Sequence, residues 1–321
     1  MIRMQINSDK IEFLVGDMDV ILNSAETPVL PMFSEQMKDF LSALSRELFL
    51  DSRSKEHKDV LSYAYWIRNS SIQQAENRQQ DVDMRLGRGV ALHIAPSNVP
   101  VNFAVSMTSS ALAGNISVIR LSSKRFEQAD IICSAMERLL TSSHTALRPY
   151  FCIIRYLHDP EITGWLSSFC DIRIIWGGDR TINEVRSLPL PTRAIELTFA
   201  DRFSVAVIDS DFYIQQDPQK IAEGFYTDTY YTDQNACSSP RFVIWMGNSV
   251  PQAKERFWKS LGELVDRDYD MQPLQAVDKF TAVCAAGMSI DGMKLVSSGN
   301  RIVRVELESL LPNVMNFKTG G

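Results

Sequence analysis

Five cysteines occur in this 321-residue chain, and one of them stands in a setting unlike the other four. Cys133, Cys152, Cys170 and Cys284 lie in or beside the apolar runs IICSAM, YFCIIRY, LSSFCDI and TAVCAAG, where a thiol behaves as a small hydrophobe. Cys237 is flanked instead by Asp233, Gln234, Asn235, Ser238, Ser239 and Pro240, just before the apolar run Phe242 to Trp245. A polar loop feeding a strand is expected there, with its thiol exposed. An exposed thiolate can serve as a nucleophile, given a suitable electropositive environment. The competing reading is that Cys237, like most free cysteines, is packed and inert.

Two further places have residue types suited to a ligand. Ser97-Asn98 follows the apolar run 89–95, so an amide there can point into a crevice and donate to an oxyanion. An asparagine between Pro96 and Pro100 is also an ordinary turn residue. Ser122, Ser123, Lys124 and Arg125 follow the run 116–121 and place hydroxyls and cations where a helix begins, which suits a phosphate. A solvated helix cap explains them equally well. Gly177-Gly178 follows a third apolar run and allows close backbone approach to a nucleotide, without the GxGxxG or Walker spacing. Trp176 reads as core, not as a cofactor stacker, and His93 as an interior histidine. His57, His144 and His158 have no spacing to acids or cysteines that would build a triad or a metal site, so no metal is expected.

The elements that must position these residues can be read from periodicity. Residues 1–30 alternate apolar and polar (Ile2, Met4, Ile6, then Ile11, Phe13, Val15), which predicts a short hairpin or edge strands. Helices are expected over 34–49 and 56–69, with a more polar helix or connector over 71–84. From residue 88 strands and helices alternate. Strands are expected at 89–95, 116–121, 150–156 and 171–176, with one or two more in 193–208. Helices are expected at 101–114, 125–140, 159–169 and 181–186. Four to five such units predict an α/β fold with a doubly wound, mostly parallel sheet that binds ligands at the carboxyl ends of its strands. A strand and amphipathic helix are expected over 246–266, and strands over 280–287 and 294–307. Three parts follow: 1–85, strands and helices packing on the next part; 86–228, a Rossmann-like domain; and 229–321, a part starting at the Cys237 loop.

Composition excludes several classes. With 45% hydrophobic and 22% charged residues the chain reads as globular, and a net charge of −6 without basic runs argues against nucleic acid. Neither a signal peptide nor a membrane span is legible. An odd number of cysteines without CxxC spacing suits a reducing cytoplasm.

Taken together, GVALHIAPSNVPVNFAVSMTSSALAGNISVIRLSSK, DIRIIWGGDRTIN, ELTFADRFSVAVID and DQNACSSP occur in an order and spacing that resembles the long-chain fatty acyl-CoA reductase family of bacterial luminescence systems, a branch of the aldehyde dehydrogenase superfamily. The resemblance implies an aldehyde-dehydrogenase-like fold with a shortened catalytic domain. It implies that Cys237 takes the acyl group from an acyl-CoA or acyl-enzyme donor, with the Asn98 amide and the cysteine's own backbone N–H binding the oxyanion. Hydride from a nicotinamide cofactor would then release an aldehyde. Pro96, Ser97, Arg120, Ser122, Ser123, Lys124, Gly177 and Gly178 match cofactor-binding positions. Arg120 falls where the superfamily has a lysine near the adenosine ribose, and Ser123 where NAD-preferring members have a glutamate. That points to NADPH, with NADH as the alternative. Glu196 matches the glutamate that activates water in the oxidative members, and also reads as a strand-edge ion-pair residue. A homo-oligomer and an acyl-transferring partner enzyme are implied as well.

Only residues 238–321 follow Cys237, about half of what the family uses, and no EPF-like motif occurs among them. Two alternatives to an NADPH-dependent acyl-CoA reductase therefore stand beside it: a non-catalytic nucleotide-binding or assembly protein, and an aldehyde dehydrogenase acting oxidatively.

Overall fold

Consecutive apolar residues without polar alternation suit strands covered on both faces, and the chain uses them in this way. In the computed structural model, which describes residues 8–200, 202–290, 293–298 and 300–307, the chain divides into two compact units, 1–201 and 202–321.

The first unit is built on β1 (Glu12–Val15), β2 (Val90–Ile94), β3 (Ile116–Leu121), β4 (Phe151–Arg155), β5 (Ile172–Gly177) and β6 (Ile195–Ala200). They form one sheet in the order β1-β4-β3-β2-β5-β6, with β1 antiparallel to β4 and all other pairings parallel. All residues of β2 and β4 are buried. Parallel strands need crossovers, and helices supply them: α1 (Met18–Asn23), α2 (Glu35–Leu50), α3 (Lys58–Trp66) and α4 (Asn69–Asn77) precede β2, then α5 (Asn102–Leu112), α6 (Glu127–Thr141), α7 (Pro160–Ser167) and α8 (Asp179–Arg186) join successive strands. The start of α7 shows how locally this is written: Pro160 opens the helix and Asp159 caps it by accepting from the backbone N–H of Glu161 and Ile162. Phe40, Leu41, Leu44 and Leu48 of α2 are fully buried in the same core as Ile119, Phe151 and Ile153 of the sheet, so residues before 86 pack on the sheet.

The stretch Ala113-Gly114-Asn115 holds the amino ends of β2 and β3 together. Gly114 adopts φ +88°, and a Cβ there would collide with the Leu30 carbonyl oxygen. The Asn115 side chain accepts from Arg88 N at 2.6 Å and donates to Ser110 O at 3.2 Å.

The second unit contains β7 (Ser204–Asp209), α9 (Ser210–Tyr213), α10 (Pro218–Thr229), β8 (Pro240–Met246), α11 (Val250–Asp268), α12 (Pro273–Ser289), β9 (Lys294–Ser298) and β10 (Ile302–Glu306). Strands β7 and β8 pair in parallel, β9 and β10 as an antiparallel hairpin. Phe257 of α11 is fully buried, with Tyr213, Phe225, Trp245 and Trp258 around it at edge-on ring distances of 5.0–6.1 Å.

The structure departs from the sequence reading in four places. Residues 12–15 form a single edge strand, β1, that pairs with β4 instead of a hairpin; Ile2, Met4 and Ile6 lie outside the described residues. The polar segment 71–84 is helical only as far as Asn77, and a short 3-10 turn follows at Val82–Met84. The expected strand at 280–287 is the second half of α12: Pro273 at its first turn and a Gln272/Gln275 capping box start a helix that buries Lys279, Val283 and Ala286, four and three residues apart, on one face. Finally, the break falls after 201 and not after 228, because α10 packs on α11 and Ala222 and Tyr213 join the aromatic cluster of the second unit.

Candidate active site

In the first unit the strand order reverses at β2: β3 and β4 follow on one side, β5 and β6 on the other. Such a reversal opens a crevice at the strands' carboxyl ends. Three of the loops singled out by sequence leave from those ends: 95–101 after β2, 122–126 after β3, and Gly177-Gly178 at the end of β5. Ser97 and Asn98 are exposed on the first, and Pro96 is half-buried. A cleft of about 360 Å³ opens beside Ile94 and Arg120, and its wall takes His158 from the loop before α7, Thr163 from α7, and Thr181 and Glu184 from α8.

Arg120 is held in place there. Its guanidinium lies over the Tyr156 ring, 5.3 Å from the centroid, and the Tyr156 hydroxyl is 2.9 Å from Thr163 Oγ1. Burial lowers its pKa, yet a guanidinium keeps its charge. Ser122 and Lys124 share a small recess with Pro96 and Arg155. Ser123 is exposed. Arg125 is turned away to β1, where it grips the Glu12 carboxylate with two bonds of 2.9 and 3.1 Å.

The two glycines divide their work. A Cβ on Gly177 would press on Thr181 Cβ at 3.1 Å, so its absence lets α8 start close against β5. Gly178 caps α8 and faces open space. Trp176 stacks on Phe199 at 3.9 Å and donates to Ser106 Oγ at 3.1 Å, which makes it part of the packing. His93 is fully buried with Nδ1 2.8 Å from the same hydroxyl and Nε2 without a partner among the described residues. Burial pushes its pKa down to about 3, so the ring is neutral at physiological pH.

Sequence reasoning missed His158, Thr163, Thr181 and Glu184 as cleft residues. A signal existed for α8 and its end: Thr181, Glu184, Val185 and Leu188 repeat at helical spacing and all line the cleft. His158 and Thr163 gave none, since nothing in their neighbours' types marks a ligand wall. Glu184 is paired with Arg180 one helical turn earlier at 2.8 Å, and that hydrogen bond holds its carboxyl below the usual range.

Glu196 sits near the amino end of β6, opposite Arg173 of β5. Arg173, 2% exposed in its side chain, contacts the carboxylate at 2.6 and 3.0 Å, and Arg186 Nε donates to the second oxygen at 2.8 Å. Burial raises its pKa, but the hydrogen bonds from Arg186 and Arg173 outweigh that, so the carboxyl titrates below its ordinary range. A general base works best with a pKa near the operating pH, whereas this carboxylate already holds two cations.

The second unit carries Cys237. The chain leaves α10 through a 3-10 turn at Tyr230–Thr232, passes through left-handed Asp233 and Gln234 (φ 48° and 55°), and enters β8 at Pro240. Cys237 is exposed, as expected, and its carbonyl accepts from Ser204 Oγ at 3.1 Å. Cys133 and Cys152 are buried and their thiols pushed far up by desolvation; Cys170 is pushed up to about 11 for the same reason. Cys284, placed by its apolar neighbours with the buried group, is instead exposed on α12. Among the described residues no cluster of His, Cys, Asp and Glu could hold a metal ion, and no helix is long and apolar enough to cross a membrane.

This fold is that of the aldehyde dehydrogenases. The NAD-dependent aldehyde dehydrogenase of Sinorhizobium meliloti superposes with a TM-score of 0.61 at 14% identity, over 89% of this chain and 62% of that one. The chain belongs to the acyl-CoA reductase (LuxC) family, whose model matches residues 24–293. It is 25% identical over 166 residues to the long-chain acyl-protein thioester reductase of Aliivibrio fischeri, and 25% identical over 191 residues to long-chain acyl-protein thioester reductase 2 of Photobacterium leiognathi. The matches cover 51% and 59% of this chain but only 33% and 37% of those relatives' length.

Proposed function

We propose that Cys237 accepts an acyl group from a thioester and that a nicotinamide cofactor, NADPH by preference, releases it as an aldehyde. The observation that carries this reading is Cys237 itself, an exposed thiol on a polar loop held by Ser204 and β8 in a chain of the acyl-CoA reductase family. The sulfur of its thiolate adds to the acyl carbonyl carbon, the donor's own C–S bond breaks, and the donor leaves as a thiol after taking up a proton. The cysteine's own backbone N–H is proposed to stabilise the oxyanion. A bound reduced nicotinamide supplies the hydride that converts the thioacyl group to an aldehyde and returns the Cys237 thiolate. Glu196 takes no part, since reduction needs no activated water.

The cofactor's adenosine end fits the cleft beside Arg120, Thr163 and Thr181, with Gly178 leaving bare backbone nearby and Ser97, Ser122, Ser123 and Lys124 on the neighbouring loops. Arg120 faces the cleft, and the carboxylate there, Glu184, is already partnered by Arg180. That balance supports NADPH. The donor is an acyl-CoA or an acyl-enzyme, and the same proposal includes a homo-oligomer, which light scattering would report directly.

Intact-protein mass spectrometry after incubation with a panel of acyl-CoAs and with an acylated carrier protein tests the reading. A mass gain equal to the acyl group, absent in Cys237→Ala and discharged faster by NADPH than by NADH, supports the nucleophile, the acyl transfer and the cofactor. Adducts from the carrier alone would identify the donor as a protein. No adduct from either, in a chain that still binds the cofactor, would establish a nucleotide-binding protein without thioester chemistry.

A further inference from the structure

Behind the Cys237 loop lies a chain of polar side chains that the proposed chemistry does not use. Lys279 of α12 is 1% exposed. Its Nζ donates to the Tyr269 hydroxyl at 2.9 Å and lies 3.7 Å from Met271 Sδ. The Tyr269 hydroxyl in turn donates to Asp233 Oδ1, and Lys279 Nζ is 3.8 Å from the same oxygen. A buried ammonium is retained only where it is paired, because an apolar replacement avoids its desolvation. Here the pairing leads to one residue of one loop.

That residue is under backbone strain. Asp233 and Gln234 are successive non-glycine residues in the left-handed region, a conformation that persists only where the surroundings enforce it. The enforcement is visible on both. Asp233 is tied through its carboxylate to Tyr269 and Lys279. Gln234 is tied through its backbone N–H to Thr229 O at 2.8 Å and through its side-chain amide to Pro240 O at 3.1 Å. The latter bond closes the base of a short bight, 235–239, that carries Cys237. Beneath it Tyr269 packs edge-on against buried Tyr230, which stacks on Tyr226, while Lys279 Nζ lies 4.6 Å from the Tyr269 ring centroid.

We propose that Lys279, Tyr269 and Asp233 form a clamp that fixes the root of the bight and thereby the position of the Cys237 thiol, which makes Tyr269 and Lys279 positioning residues for acyl transfer. Next to the clamp, Gln234 ties the bight to the start of β8 at Pro240, and Ser204 donates to the Cys237 carbonyl. The inference rests on Cys237 being the nucleophile, but its geometry has a readout that does not.

The test uses the full chain with Tyr269→Phe, which removes one oxygen, and Lys279→Met, which keeps length without charge. Three quantities are followed: the single-turnover rate of acyl transfer from an acyl-CoA to the protein, its half-saturating donor concentration, and the iodoacetamide alkylation rate of Cys237 relative to exposed Cys284. Displacement of a reacting group by about 1 Å costs up to about a hundredfold in rate, so each variant is expected to lower the limiting transfer rate by about tenfold or more. The half-saturating concentration should stay within about twofold, and the Cys237 to Cys284 alkylation ratio should change by at least about threefold. The double variant should be little worse than either single one, because the groups act as one unit. Transfer rates and alkylation ratios within about twofold of wild type, with only the thermal midpoint lowered, would reduce the triad to a stability feature and overturn the proposal. If the wild-type chain takes no acyl group, the proposed function fails instead, and the alkylation ratio alone still decides whether the clamp positions the thiol.

Discussion

The two units use cysteine, and the sheet, in opposite ways. All three buried thiols belong to the first unit, where Cys152 lies in β4 and Cys133 in α6 beneath the sheet; both exposed thiols belong to the second. In the first unit β2 to β5 are layered between helices and nearly every side chain is taken into the core. In the second, the two-stranded β7–β8 ribbon leaves Val205, Val207, Ile244 and Met246 between 42% and 57% exposed. A two-stranded ribbon contributes little by itself. Its order comes from α10 and α11 packing around Phe257 and from the contacts at the Cys237 loop. The lesson is that burial fixes geometry where a sheet is fully layered, whereas an exposed loop needs separate, directional contacts.

The comparison is sharpest at the thiols themselves. Replacing Cys237 by alanine should abolish acyl-adduct formation, a fall of at least about 10³-fold in transfer rate, while Cys284→Ala should leave it unchanged; mass spectrometry of the acylated chain reads both. An adduct that survived in Cys237→Ala would remove the distinction between the units. The next largest effect is on stability. Phe257→Ala empties the centre of the aromatic cluster and is expected to cost about 3–5 kcal/mol. Because the first unit has its own core, denaturant unfolding of that variant should separate into two transitions, with the far-ultraviolet signal of the first unit retained after the second has melted. A single transition shifted as a whole would show that the two units fold as one.

Most of the first unit was legible in the sequence because its signals are local and repeated. Unbroken apolar runs ending in Asn98, Ser122 or Gly177 gave strands and the loops after them, and Thr181 with Glu184 could have been added from helical spacing. The second unit was read less well for a physical reason. Residues 280–287 contain Phe280, Thr281 and Val283, which favour strands in isolation, yet the capping box at Gln272 and the burial of one helical face decide for α12. The exposure of Cys284 follows from that change, since a helix turns it away from the face of Val283 and Ala286. Lys279 and Tyr269 were invisible because a clamp formed across 46 residues of chain, from Asp233 to Lys279, has no local pattern. Glu196 was seen, but its two arginine partners lie on other elements, and only their convergence assigns it a role.

Back in the first unit, the cleft should weigh more heavily on cofactor binding than on folding. Arg120→Ser removes the guanidinium beside Ile94 and is expected to weaken NADPH binding about tenfold, roughly 1.4 kcal/mol, with the loss smaller for NADH. Equal losses for both cofactors would mean that Arg120 does not read the 2′-phosphate; tryptophan-quenching titrations distinguish the cases.

The smallest effect is expected at Glu196, and its pH dependence separates a structural ion pair from a catalytic base. Arg186 and Arg173 hold its carboxyl below the ordinary value of about 4.3, so the folded state binds a proton there less readily than the unfolded chain does. The stabilisation is therefore present in full above the ordinary value and is lost as the pH falls through the lowered one. Glu196→Gln should cost about 1 kcal/mol near pH 7, the range for a partly buried ion pair, and the difference from wild type should shrink below about pH 4. Acyl transfer and reduction should be unaffected at pH 7, because the carboxylate lies at the amino end of β6 and faces Arg173 and not the cleft. A variant of unchanged stability that lost turnover would reverse the assignment, and with it the view that this edge of the first sheet serves packing alone.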